Sequence, residues 1–144
     1  MDRITSGAVV DQSRETSIEG VFACGNVLHV HDLVDYVSEE AEIAGKSAAD
    51  YIKGVKAEKI NIRLKTDGKV RYTVPQIVTA REDVRVYFRV SDVFRNVKIE
   101  VLKGDEVVIS KKKQKVAPGE MESLVVSTDV LCECDELMFR IVEA

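Results

Sequence analysis

The sequence predicts an α+β chain in two parts: two short strands and a helix over residues 1–54, then an all-β sandwich over residues 58–144. Three observations lead there. Apolar residues recur at helical spacing in only one segment, near residues 35–53. Beyond it they alternate with polar residues at a period of two. The charge balance changes at the same place: residues 1–54 hold ten acids and four bases, the remainder fifteen acids and seventeen bases. A shift of that kind marks a boundary.

In the first part, Gly7-Ala8-Val9-Val10-Asp11 is a short β-like run. Val21-Phe22-Ala23-Cys24, bounded by Gly20 and Gly25, is a second. Being continuously apolar, it suits a strand buried on both faces, as in a parallel sheet. A helix is expected from Asp35 to Lys53, with Val37, Ala41, Ala44, Ala48 and Ile52 forming its buried face. Glu39 and Glu40 read as part of its solvated side. Gly54 is a suitable stop.

In the second part, Ile60, Ile62 and Leu64 alternate with polar residues, as do Val84, Val86, Phe88 and Val90. Val97, Ile99 and Val101 repeat the pattern, and Leu137, Phe139 and Ile141 close the chain with it. Asp67-Gly68 and Gly104-Asp105 are hairpin-type signals, Pro75 marks a strand end, and Pro118-Gly119 is a turn. About seven short strands with no helix among them predict an antiparallel sandwich of immunoglobulin-like type.

Composition narrows the function. The chain has 144 residues, 45% of them hydrophobic, and a net charge of −4. That charge argues against a nucleic-acid binder, which presents a basic face. No apolar run approaches the ~18 residues of a membrane-spanning helix, and no basic-then-apolar start reads as a signal peptide. Three cysteines, Cys24, Cys132 and Cys134, do not make a disulfide framework, so a reducing cytoplasm is the expected compartment.

One stretch carries chemistry. Thr16 precedes a short turn, then Gly20-Val21-Phe22-Ala23-Cys24-Gly25-Asn26, then the helix. With the upstream Gly7–Asp11 run, this resembles the C-terminal FAD motif of the pyridine nucleotide-disulfide oxidoreductase superfamily, thioredoxin-reductase-like proteins included. There a threonine and a short turn lead into G-V-[FY]-A-x-G-D and a helix; Asn26 stands where the family usually has aspartate. The resemblance covers about residues 5–53 and implies that residues 1–54 are the tail of a Rossmann-like FAD-binding domain. It implies that Gly25 lets the backbone approach the cofactor and that Asn26, with Val27 beside it, bonds FAD. It also implies that the N–H groups of Tyr36 and Val37, at the helix start, face the flavin and stabilise its reduced form.

The rest of such an enzyme is not in the sequence. There is no G-x-G-x-x-G loop for the ADP pyrophosphate, no C-x-x-C redox pair and no NAD(P)-binding domain. The expectation is therefore the C-terminal portion of a flavin-dependent NAD(P) oxidoreductase. It would supply one wall of the FAD site, bind no FAD alone, and need the remainder of the flavoenzyme or a partner subunit; the sandwich could support a homodimer. The alternative is a non-catalytic immunoglobulin-like interaction module with a vestigial FAD-domain tether.

Other groupings are weaker. In an extended His29-Val30-His31-Asp32 the two imidazoles would share a side, but only Asp32 or Asp35 suggests itself as a further ligand, so no metal site is assigned. Cys132-Glu133-Cys134 reads as two reduced cysteines near a strand end, and Lys111-Lys112-Lys113 as a solvated strand. No Ser/His/Asp set or carboxylate pair has catalytic spacing, so no catalytic residue is assigned.

Overall fold

The computed structural model of the chain describes residues 1–55 and 61–144. It is an α+β fold dominated by β-structure. After a single 3-10 turn at Gly25–Val27 come α1 (Val34–Ile52), β1 (Ile62–Thr66), β2 (Val70–Val74), β3 (Ile77–Val78), β4 (Val84–Val90), β5 (Phe94–Lys103), β6 (Glu106–Val116), β7 (Glu122–Val126), α2 (Thr128–Leu131) and β8 (Glu136–Glu143).

The strands form two sheets, one in the order β3-β1-β8-β5-β6 and the other β2-β4-β7. Their facing sides share one core. Ile62, Val97, Ile99, Val101, Phe139 and Ile141 come from the larger sheet, and Val84, Val86, Phe88 and Val90 from the smaller. The rings of Phe88 and Phe139 meet edge to face across the gap, 5.9 Å between centroids. The alternation read from β4, β5 and β8 is thus the alternation that packs. Ile60, the first member of the predicted β1 run, lies outside the described residues, as does the predicted start of the second part at residue 58.

The sheets depart from the sequence reading in three ways. Gly104-Asp105 does join β5 and β6 as a two-residue hairpin, since Lys103 pairs with Glu106. Asp67-Gly68 instead carries the chain from one sheet to the other. Its carboxylate accepts from the N–H groups of Lys69 and Val70 at 2.9 Å, and from Ile141 at 3.1 Å, so the turn is fastened to β8 rather than closing a hairpin. The pairing is also not wholly antiparallel, because β1 runs parallel to β8. Finally, a single helical turn, α2, interrupts the strands before Cys132.

The N-terminal part takes a different form from the one expected. Val21–Cys24 is not a strand buried on both faces: Val21 is 46% exposed and the run only half-buried. The described strand pairings of these runs are isolated antiparallel bridges, Val10 with Thr16 and Glu15 with Phe22. A buried parallel strand needs neighbours on each side, and turns at 11–14 and 18–21 fold this segment back on itself first.

The segment then lies over the outer face of the β2-β4-β7 sheet. A bulge in β2 makes this possible. Val70 pairs with Val90 but Tyr72 with Arg89, so Arg71 is an extra residue and the strand's side chains swap faces. Tyr72 and Val74 consequently turn outward and bury against Val10 and Leu28 in a second apolar cluster. Gln76 braces the contact, accepting from the Val10 N–H at 3.0 Å with its side chain and donating to the Val10 carbonyl with its backbone. Arg89 of β4 donates to the Val30 carbonyl at 2.7 Å and pairs with Asp32, whose other oxygen accepts from the Met121 N–H.

Helix α1 starts and stops within a residue of the prediction, but its inward face is rotated. Ala41 and Ile52 are exposed, the latter by 84%, and the fully buried positions are Glu40 and Ala44.

Candidate functional site

The chemistry of this molecule concentrates under α1, where four ionisable side chains are packed out of water. Arg14 reaches the spot from a tight turn in which the Asp11 carboxylate accepts from the N–H groups of Ser13 and Glu15. Arg14 itself sits at φ +66°, a conformation that turns its side chain inward. Its guanidinium donates to the Gln12 carbonyl at 3.1 Å.

His29 and His31 come from the segment after the 3-10 turn. As alternation requires, they share one side while Val30, 65% exposed, faces the other. Their rings stand 4.3 Å apart, centroid to centroid. Tyr72 and Tyr87 on the sheet pack against them, edge-on to the imidazoles at 5.7 and 5.9 Å.

Glu40 comes up from α1 and joins the set. Its Oε2 lies 2.6 Å from His31 Nε2 and 3.6 Å from His29 Nε2. Its Oε1 accepts from the Gly25 N–H at 3.2 Å and lies 3.9 Å from Arg14 Nε. The side chain has no solvent exposure. The reading of Glu40 as part of a solvated helix face is therefore corrected. Glu39, its neighbour, does keep to the outside, about half exposed, where it accepts from the Tyr87 hydroxyl at 2.9 Å.

Burial and charge pull the cluster in opposite directions. Burial pushes the Glu40 carboxyl up, but the imidazoles and the Arg14 guanidinium outweigh it and leave the group below its ordinary value. Burial lowers His31 against the pull of Glu40, and burial lowers Arg14 as well. Glu40 is thus the anion, and the proton in the 2.6 Å contact belongs to His31 Nε2. His29 Nδ1 is 3.3 Å from the Tyr72 hydroxyl, and its Nε2 is buried with no hydrogen-bond partner among the described residues.

The residues expected to face a flavin lie along one edge of this cluster. Gly25 is buried at φ +74°, pinned from beneath by Glu40, and its missing side chain would point towards Val37. Asn26 and Val27 stand at the surface, Val27 by 59%. Tyr36 and Val37 are half-buried in the first turns of α1. That helix begins after Leu33, which gives no side-chain cap. The N–H groups of Val34, Asp35 and Tyr36 therefore lack intrahelical acceptors, whereas that of Val37 reaches back to Leu33. Val27, Val30, Leu33 and Val34, on the stretch of chain that leads into this end, are all more than half exposed.

The remaining groupings stay apart from the cluster. Asp32 is taken by Arg89 and Met121. Cys132 is exposed, and Cys134 is buried with its thiol donating to the Glu136 carbonyl at 3.0 Å. Lys111, Lys112 and Lys113 lie on β6, an edge strand, where lysines guard against pairing with another chain. No described helix is long and apolar enough to cross a membrane. Comparison with family models, curated proteins and solved structures finds no match to this chain.

Proposed function

We propose that this chain is the C-terminal portion of a flavin-dependent NAD(P) oxidoreductase and supplies one wall of its FAD site. One observation carries the reading. A glycine at positive φ, fixed from below by Glu40, hands the chain to a surface asparagine beside the uncapped start of a 19-residue helix. The exposed side chains of Val27, Val30, Leu33 and Val34, on the stretch between that asparagine and the helix, are apolar groups an isoalloxazine ring could cover. Free N–H groups at the helix end would favour the negative charge of reduced flavin. The flavin would carry the hydride chemistry, and this chain would bind and orient it.

On this reading the two-sheet part is an accessory module of immunoglobulin-like kind. The rival, an interaction module trailing a vestigial tether, has less support, because residues 1–37 contribute buried side chains and hydrogen bonds to the face of the β2-β4-β7 sheet.

Flavin fluorescence tests the proposal. FAD is titrated with the purified chain alone, then with the chain and a separate chain carrying G-x-G-x-x-G, the two co-expressed. The expected result is unchanged emission with the first and quenching with the second. Quenching equal to that of the G-x-G-x-x-G chain by itself would remove this chain from the flavin site.

A further inference from the structure

We propose that His29, His31 and Glu40 form a site for one divalent transition-metal ion, zinc in the simplest case. The inference is independent of the flavin reading. Two imidazole nitrogens and a carboxylate oxygen are donors that suit zinc and its first-row neighbours. The ligand atoms lie within 4.8 Å of one another. Tetrahedral zinc with bonds of ~2.0–2.1 Å spaces its ligands by roughly 3.4 Å. His29 Nε2 and Glu40 Oε2 stand at 3.6 Å, and His31 Nε2 and Glu40 Oε2 at 2.6 Å, so the second pair has to open by less than an ångström.

The outer atoms of two ligands are already engaged. The Tyr72 hydroxyl holds His29 Nδ1, and the Gly25 N–H holds Glu40 Oε1. Each partnership leaves the inner atom aimed at the others, as the second layer around a metal site does. His29 Nε2 is the telling atom. It is buried with no hydrogen-bond partner among the described residues, Glu40 Oε2 standing off at 3.6 Å, which is costly for a polar nitrogen, and an ion would give it a ligand bond.

Arg14 sets the limit. Its guanidinium, 3.9 Å from Glu40 Oε1, opposes a dication beside the same carboxylate. The proton that His31 holds against Glu40 must also leave Nε2 when metal enters. The structure thus pairs a ligand set with a resident cation that weakens it, and the two can be separated by mutation.

The test uses the whole chain stripped with a chelator. Zn2+ affinity is measured by competition with a chromophoric chelator, and Co2+ binding by visible absorption. The expected result is one ion per chain, with His29→Gln weakening binding by at least about tenfold and Arg14→Met strengthening it. Because the chain has two histidines and both are in the site, imidazole NMR of the unmutated protein gives a second reading that does not depend on a variant folding. Zn2+ should shift the Nε2 resonances of both. Unshifted histidines in the presence of excess Zn2+ would overturn the proposal. So would binding that survives His29→Gln and disappears in a Cys132→Ser, Cys134→Ser double variant.

Discussion

At the scale of single residues, Glu40 joins the two parts of the N-terminal segment. It accepts the Gly25 N–H from beneath, pairs with His31, and balances the buried charge of Arg14. Removing one member of a buried ion pair strands the other in a medium that cannot solvate it. Glu40→Gln should therefore cost about 3 kcal/mol in chemical denaturation, whereas Glu39→Gln, at the surface, should cost under ~1 kcal/mol. Nothing in the helix periodicity distinguished these neighbours. Periodicity sorts side chains by polarity, and Glu40 is inside because its partners, Arg14, Gly25, His29 and His31, all lie outside the helix, beyond the i, i+3 and i+4 neighbours that periodicity relates. The side shared by the two histidines, by contrast, was legible from alternation alone.

Tyr87 gives the same scale a dependence on pH. Burial and the neighbouring Glu39 carboxylate push its hydroxyl up to about 12, against ~10 in an unfolded chain. The folded value is the higher one, so the unfolded chain loses this proton first. The stabilisation is complete below pH ~10 and drains away as the pH rises towards the folded value. Denaturation midpoints measured from pH 9 to 12 should fall more steeply for the unmutated chain than for Tyr87→Phe.

At the scale of elements, the sheet alternation was readable wherever a strand is regular, as in β4, β8 and the Val97–Val101 stretch of β5. It was misleading in β2, where the bulge at Arg71 turns Tyr72 and Val74 away from the main core and onto Val10 and Leu28. An extra residue has no signature in a pattern of period two, so the docking face it creates was not visible. The face of α1 was misjudged for a related reason, since an alanine-rich helix offers several equivalent faces and a buried ion cluster chose among them. Two glycines separate crowding from backbone strain. A methyl group at Gly7 would lie 2.4 Å from the Leu28 carbonyl oxygen and 2.5 Å from that of Val27. At Gly25 it would meet only Val37, at 3.9 Å, but the backbone is at φ +74°. Gly25→Ala should cost about 1–2 kcal/mol, the usual penalty for a left-handed residue. Gly7→Ala should cost more, because backbone atoms have to move; thermal denaturation of the two variants side by side checks the order.

At the scale of the whole molecule, three layers stack: the five-stranded sheet, the three-stranded sheet, and the N-terminal segment with α1 on its outer face. The change from helical to alternating periodicity in the sequence matches the change from the covering layer to the sheets. The covering itself did not follow from the sequence, in which no pattern assigns residues 1–54 a face of the sheets. Arg89 and Gln76 reach from the sheet part to the covering layer, and each is an ordinary polar residue when read alone. The result is a preformed corner, Gly25 to Val37, presented at the molecular surface on a buried support. Amide hydrogen exchange, followed on the chain combined with a G-x-G-x-x-G chain before and after FAD is added, tests whether that corner meets a flavin. The account predicts new protection concentrated at Gly25–Val27 and Val34–Val37; exchange there that FAD leaves unaltered, with protection arising only elsewhere, would contradict it.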